Sequence, residues 1–536
     1  MHTKLLLGVE AIGQGAIDGG ISGVYAYPGT PSTEITEYIR INKTAAERDI
    51  HREWSANEKT AYETALGMSY AGKRALVCMK HVGLNVAADP FINSAITGIN
   101  GGLVLTVADD PSMHSSQNEQ DSRYYGKFAM IPVLEPSTQQ EAYDMAYEAF
   151  GLSEKTGLPV MIRLTTRLAH SRAGVVVKKP KPEKELQLPE NLKQFMLLPS
   201  FARKSYKALL DKQNLLAEIS EQSDYNKYID GNDKSLGIIC CGIANNYLME
   251  NFIGKSSPYT LLKITQYPLP AVWVKRLEKE CDELLVIEEG YPLVEEMVRD
   301  FFGKGRKVLG RLSGALPRAG ELNPDHVAKA LGKSIPESYT VPPLVASRPP
   351  ALCQGCGHQD VFKALNEVLK DYGDGHVFSD IGCYTLGTLP PYNTINTCVD
   401  MGASVTMAKG AADAGLFPVF TVIGDSTFTH SGMTGLLDAV NEKSNVNIII
   451  ADNEAVAMTG GQDSSAFGKI ETICKGIGVD VAHIRVVVPL KKNHELFVET
   501  IKQEIAYNGV SVIIARRPCL QKVAREKKLK RSINNQ

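Results

Sequence analysis

Cysteine and tryptophan are scarce, ten and two in 536 residues. Cysteine at that density excludes a disulfide-built scaffold. Neither charge is in excess: 58 Lys and Arg stand against 60 Asp and Glu, a formal net charge of −2. With no basic surplus to neutralise phosphates, nucleic acid is not expected as the main partner. The basic run 517–531 reads as a solvated tail. No apolar stretch approaches the roughly 18–20 residues that span a bilayer. The opening Met1–Glu10 is too short and too soon acidic for a signal peptide, so a cytoplasmic location is expected. Internal repeats and low-complexity tracts are also missing.

What is present is ordinary folded-protein composition, 43% hydrophobic and 22% charged. At about 150 residues per domain the length suggests roughly three to four domains. Short β-rich apolar runs alternate with longer helical patterns, the signature of α/β folds with mostly parallel sheets. The first block, 1–177, has strand candidates at 24–27, 75–79, 103–108 and 158–164, with helical periodicity at 58–70 and 140–152. A charged, proline-rich linker at 178–185 leads into a polar helical stretch with no strand signal, the two filling 178–234. A second block, 235–345, has strands at 236–242, 283–287 and 307–312. The third, 346–536, has strands at 377–380, 419–423, 446–451, 484–488 and 510–515. The fold class is therefore α/β, with three such domains in succession.

In the third block, strand 419–423 runs straight into Gly424-Asp425-Ser426, and strand 446–451 into Asp452-Asn453-Glu454-Ala455. A right-handed crossover places both turns at the carboxyl edge of one parallel sheet, where open α/β sheets bind ligands. The Asp425 carboxylate, the Asn453 amide oxygen and the Ala455 carbonyl are hard oxygen donors that suit Mg²⁺ shared with phosphates. Gly424 allows close backbone approach, and a helix starting near Ser431-Gly432 would aim N–H groups at phosphate oxygens. Gly-Asp-Ser alone is also an ordinary strand-to-helix turn. The second strand, ending Asp-Asn at crossover distance, favours the metal reading.

This pair of turns resembles the thiamine-diphosphate signature. Together with residues 424–432 and 452–462, it is similar to the thiamine-diphosphate-dependent 2-oxoacid:ferredoxin oxidoreductases, most closely their indolepyruvate-type large subunits. The resemblance implies a pyrimidine-binding domain at 1–177, a middle transketolase C-terminal-like domain at 235–345 and a diphosphate-binding domain at 346–536. It extends to Tyr25–Ser32, Met79–Asn85, Ala108–Pro111, Asp121–Tyr125 and Val286-Ile287-Glu288-Glu289-Gly290. By this resemblance Glu58, opening a helix after Asn57, is the glutamate that activates the aminopyrimidine. Otherwise it is a first-turn carboxylate favoured by the helix dipole. The resemblance also sets Gly29 and Thr30 beside cofactor and substrate, and Ser426 and Met458 against the cofactor. Lys80, His81, Asn85 and His114 sit in strand-end loops, each as ready for a structural hydrogen bond as for substrate. His430 belongs in the pocket with no derived role.

Cys353-Gln354-Gly355-Cys356 lacks the second pair that zinc needs and follows prolines rather than a strand. An iron–sulfur cluster needs four thiolates, which can be dispersed. The resemblance assigns Cys353, Cys356, Cys383 and Cys519 to a [4Fe–4S] cluster, with Cys398 and Cys474 as substitutes; free thiols or another metal remain the alternative. Cys78, Cys240, Cys241 and Cys281 lie in or beside apolar runs and are expected buried. Large subunits of the indolepyruvate type usually end in a ferredoxin-like module, but no cysteine follows Cys519. Either electrons leave through another subunit, or the chemistry differs.

The implied activity is oxidative decarboxylation of an arylpyruvate, such as indolepyruvate, to its acyl-CoA. It requires thiamine diphosphate and Mg²⁺, with coenzyme A as co-substrate. The implied partners are a small β-type subunit, ferredoxin or another electron carrier, and a second large subunit in a dimer. Two rivals are a non-oxidative 2-oxoacid decarboxylase, in which the cysteines need not bind iron, and a non-catalytic scaffold. The second is disfavoured because Glu58, Asp425 and Asn453 are all present.

Overall fold

The computed structural model describes residues 2–302, 307–335, 340–346 and 349–534. They fall into two compact units, Met1–Tyr339 and Thr340–Gln536. The first unit holds two principal sheets. One has six strands in the order Gln266–Tyr267, Val133–Leu134, Val160–Thr165, Leu103–Asp109, Ala75–Lys80, Gly23–Ala26. All pairs in it are parallel except the first. Strand Leu103–Asp109 is buried along its whole length. Helices cover both faces, so it reads as a continuous apolar run rather than an alternation.

The second sheet orders Val308–Leu309, Glu283–Ile287, Asp233–Cys241, Tyr259–Ile264 and Lys227–Ile229, with only the last pair antiparallel. Strand Lys227–Ile229 corrects the expectation that the stretch before residue 234 carries none. Three residues are too few to show a period of two, and pairing with Tyr259–Ile264 holds them extended. The opening residues 2–18 are built into the fold. His2–Leu7 pairs antiparallel with Arg172–Val177, and helix Gly8–Asp18 packs on helix Gln139–Thr156.

Gln266–Tyr267 leaves the second block to add an edge strand to the first sheet. Beside it lies a buried ionic network. Arg163 meets Asp109 at 2.7 Å and Glu135, Arg123 meets Glu288 at 2.9 Å, and Arg311 meets Glu289 at 3.1 Å. Within the family-like segment 286–290, the Glu288 carboxylate and the Glu289 carbonyl, which accepts from Arg123 and Arg163, thus join the two blocks. Burial is the chief cause pushing Glu289 up to about 7, opposed by Arg311. Removing one partner from such a network is costly, because it leaves an uncompensated buried charge.

In the second unit all five strands of the main sheet are parallel. Their order is Val377–Ser379, Phe420–Gly424, Asn447–Asp452, Ser511–Arg516, Ile484–Val487. Gly424 pairs with Ala451, so the two strands that precede the acidic turns finish side by side. Apolar clusters cover both faces. No helix among the described residues is long and apolar enough to cross a membrane.

Candidate active site

Strand Phe420–Gly424 enters a helix with no loop between them. The backbone is helical from Asp425 to Asn441, through a π turn at Phe428–Gly432. The helix start expected near Ser431-Gly432 is thereby corrected. Gly432 and the β-branched Thr427 and Thr429 depress helix propensity there, whereas Phe428 packs fully buried in the apolar cluster. Gly424 is required sterically, since a Cβ there would lie 2.6 Å from Tyr384 Cε1.

Asp425 is only 2% exposed and its Oδ2 has no hydrogen-bond partner. Burial, reinforced by the nearby Asp452 charge, pushes its carboxyl up to about 7, while Ser464 and an Asn453 backbone bond oppose the shift. A buried carboxylate oxygen without a donor is costly, and a cation would satisfy it. Asp452 is engaged by Arg516 at 2.6 Å. Asn453 Oδ1 accepts the Ala455 N–H at 3.0 Å across Glu454, whose φ of +61° is unusual for a side-chain residue. Asp425, Asn453 and Ala455 could each supply a hard oxygen donor of the kind that Mg²⁺ takes. Ser426 and His430 are buried, with His430 Nδ1 2.6 Å from Ser431 Oγ. Met458 is exposed.

In the first unit Glu58 is the first residue of helix Glu58–Tyr70, capped by Asn57, whose side chain accepts the Thr60 N–H at 2.8 Å. Glu58 is 6% exposed, although a solvated first-turn carboxylate would stand in water. Its carboxyl lies on Gly83 of helix His81–Val86, where a Cβ would come within 2.5 Å of Oε1. Gly83→Ala should therefore swing the carboxylate away and lower kcat by roughly 10²-fold, the cost of about an ångström of misplacement. Steady-state kinetics check this, and an unchanged kcat would show that Gly83 does not seat Glu58.

Next to it, Gly29 faces the Lys80 side chain, where a Cβ would meet Lys80 Cβ at 3.4 Å. Lys80 Nζ donates to Ser115 O at 2.8 Å, and burial brings its ammonium down to about 8. Ser115 Oγ donates to Thr30 O at 3.4 Å. Glu58, Gly29, Thr30 and Lys80 thus cluster where Gly23–Ala26 and Ala75–Lys80 end. His81 Nε2 lies 3.2 Å from Asn118 O. Asn85 accepts from Tyr125 at 2.7 Å, and the half-exposed His114 lies 3.5 Å from Glu321.

The four assigned cysteines come from three separate segments and line one cavity of about 100 Å³ in the second unit. Burial, with its three neighbouring thiols, pushes Cys383 up to about 12, and burial also raises Cys356. The cavity borders Asp452 and Asn453, and Cys519 N–H donates to Asn453 O at 2.9 Å. The thiols therefore adjoin the candidate magnesium turn. Cys474 is buried in an apolar cluster and Cys398 is exposed elsewhere; neither lines the cavity. Cys78, Cys240, Cys241 and Cys281 are buried. Among the described residues no three His, Cys, Asp or Glu side chains converge on a single ion. The dispersed thiols suit a polynuclear cluster, in which each iron takes one thiolate.

Sequence reasoning passed over three residues: Gly83, His358 and Tyr384. His358 follows Cys356 by two residues, and its place beside the cysteine pair was the available signal. Its ring meets Tyr384 edge-on at 6.1 Å. Tyr384 in turn donates to Asp380 and packs under Gly424.

Residues 14–212 match the family model described as "Pyruvate flavodoxin/ferredoxin oxidoreductase, thiamine diP-bdg". Residues 380–515 match "Thiamine pyrophosphate enzyme, C-terminal TPP binding domain". The chain is 40% identical over 543 residues to the indolepyruvate oxidoreductase subunit IorA of Archaeoglobus fulgidus, covering 96% of this chain and 86% of that one. It is 39% identical over 562 residues to the same subunit of Pyrococcus abyssi, covering 96% and 85%. Among solved structures, the 2-oxoglutarate:ferredoxin oxidoreductase of Magnetococcus marinus, bound to 2-oxoglutarate, coenzyme A and succinyl-CoA, shares the fold. The match has a TM-score of 0.50 at 15% identity, over 62% of this chain and 65% of that one.

Proposed function

Because the chain belongs to the indolepyruvate oxidoreductase family as an IorA-type large subunit of thiamine-diphosphate-dependent 2-oxoacid oxidoreductases, we propose that it oxidatively decarboxylates an arylpyruvate such as indolepyruvate. The product is the acyl-CoA, with coenzyme A as co-substrate. A [4Fe–4S] cluster held by this chain would supply one-electron transfer towards ferredoxin or another carrier, by way of a small β-type partner subunit. The working assembly is a dimer of large subunits.

Bound thiamine diphosphate supplies the nucleophilic carbon and the electron sink for decarboxylation. Asp425, Asn453 and the Ala455 carbonyl would hold its Mg²⁺, Gly424 and Ser426 its diphosphate, and Met458 its ring. Glu58 would hold and move the proton at the aminopyrimidine. Gly29 and Thr30 would line the substrate side, with the Lys80 ammonium close enough to attract a 2-oxoacid carboxylate. Cys353, Cys356, Cys383 and Cys519 would hold the cluster. His430 is assigned no step.

The observation that carries the oxidative reading is the gathering of four thiols round one cavity beside Asn453. A decarboxylase without a redox step has no use for them. Purified anaerobically, the protein should contain about four irons and as many sulfides per chain. It should also reduce a viologen dye when given an arylpyruvate and coenzyme A. Colourless, iron-free protein that releases carbon dioxide at full rate would establish the decarboxylase instead.

A further inference from the structure

His358 is 5% exposed, and both of its ring nitrogens are buried without any hydrogen-bond partner. A neutral imidazole carries one N–H donor and one acceptor nitrogen, and enclosing both unsatisfied is unfavourable. At this position a phenylalanine would pack against Tyr384 without that penalty. The polar groups nearby are committed elsewhere. Tyr384 OH donates to Asp380, Gln359 Nε2 donates to Cys353 O at 2.8 Å, and Arg517 lies on Asp360 and Pro489 O. His358 lines the same cavity as the four cysteines. An occupant of that cavity would supply the missing partner.

We propose that His358 donates an N–H hydrogen bond to a sulfur of the iron–sulfur cluster held by Cys353, Cys356, Cys383 and Cys519, and so raises its reduction potential. The inference rests on the cluster reading given above. An N–H dipole with its positive end towards the sulfur stabilises the added electron, and hydrogen bonds to cluster sulfur are among the determinants of its potential. His358 is thus a positioning and tuning residue, not a ligand.

The test is anaerobic iron and sulfide analysis with an EPR-monitored redox titration of the full-length wild type, His358→Phe and His358→Gln. Phenylalanine fills the space without a donor, and glutamine restores an N–H. The expected result is full iron in all three, a midpoint potential shifted down in H358F, and return towards the wild-type value in H358Q. A fully loaded H358F at the wild-type potential overturns the inference alone, and would mean that the ring only holds a water. If H358F is folded but loads no iron, H358Q decides: a loaded cluster supports the donor, and an iron-free one overturns it. An iron-free wild type overturns the cluster reading itself, and this inference with it.

Discussion

Glu58→Gln should lower kcat by about 10²–10⁴-fold, the usual loss when a positioned proton-transfer group is removed. Affinity for thiamine diphosphate should stay within a few-fold. Glutamine has nearly the size of glutamate, so it fits the space over Gly83 where the carboxyl lies. It also keeps the helix cap supplied by Asn57. What it cannot do is take and return a proton. Single-turnover kinetics with calorimetric titration of the cofactor separate the two effects. Retained turnover would remove Glu58 from its role, whereas joint loss of binding and turnover would point to local misfolding.

Asp425→Asn should have a mixed signature. Magnesium-dependent cofactor affinity should fall roughly 30-fold or more, the equivalent of about 2 kcal/mol for losing one charged partner of a buried pair. The metal-free protein, by contrast, should be no less stable than the wild type. Folding the wild type buries a carboxyl that is pushed up to about 7 and leaves Oδ2 unsatisfied. The sign follows from linkage: the folded chain keeps a proton that the unfolded chain releases. The cost of Asp425 to the metal-free fold therefore grows as pH rises from about 4 to about 7 and is constant above. In D425N that cost is gone, so its stability advantage should widen over the same window. Urea denaturation of the metal-free proteins at several pH values measures it. A purely structural Asp425 would give lower stability in D425N at every pH.

Much of the second unit was legible in the sequence because its strands are parallel and buried on both faces. Segments such as Ile448-Ile449-Ile450 are apolar without a break, and the acidic turns follow them directly. Glu58 was legible as a helix start. The helix beginning at Asp425 was not, because Gly432 and two threonines argue locally against helix, and the burial of Phe428 in the apolar cluster is set by the fold. Strands Lys227–Ile229 and Gln266–Tyr267 escaped notice because two or three residues carry no period. They exist only because partner strands take up their backbone groups.

The sequence by itself determined the inventory and its order: a glutamate opening a helix in the first block, then four cysteines and two acidic strand ends in the third. These are properties of local pattern and residue chemistry. Only the tertiary structure decided which polar groups are left wanting a partner. Asp425 Oδ2 and both nitrogens of His358 are unsatisfied, while one oxygen of Asp452, as acidic as Asp425 in the sequence, is claimed by Arg516 and only its Oδ1 is left without a partner. Whether a buried donor or acceptor is satisfied depends on neighbours that the fold delivers from tens of residues away, and no local pattern encodes that.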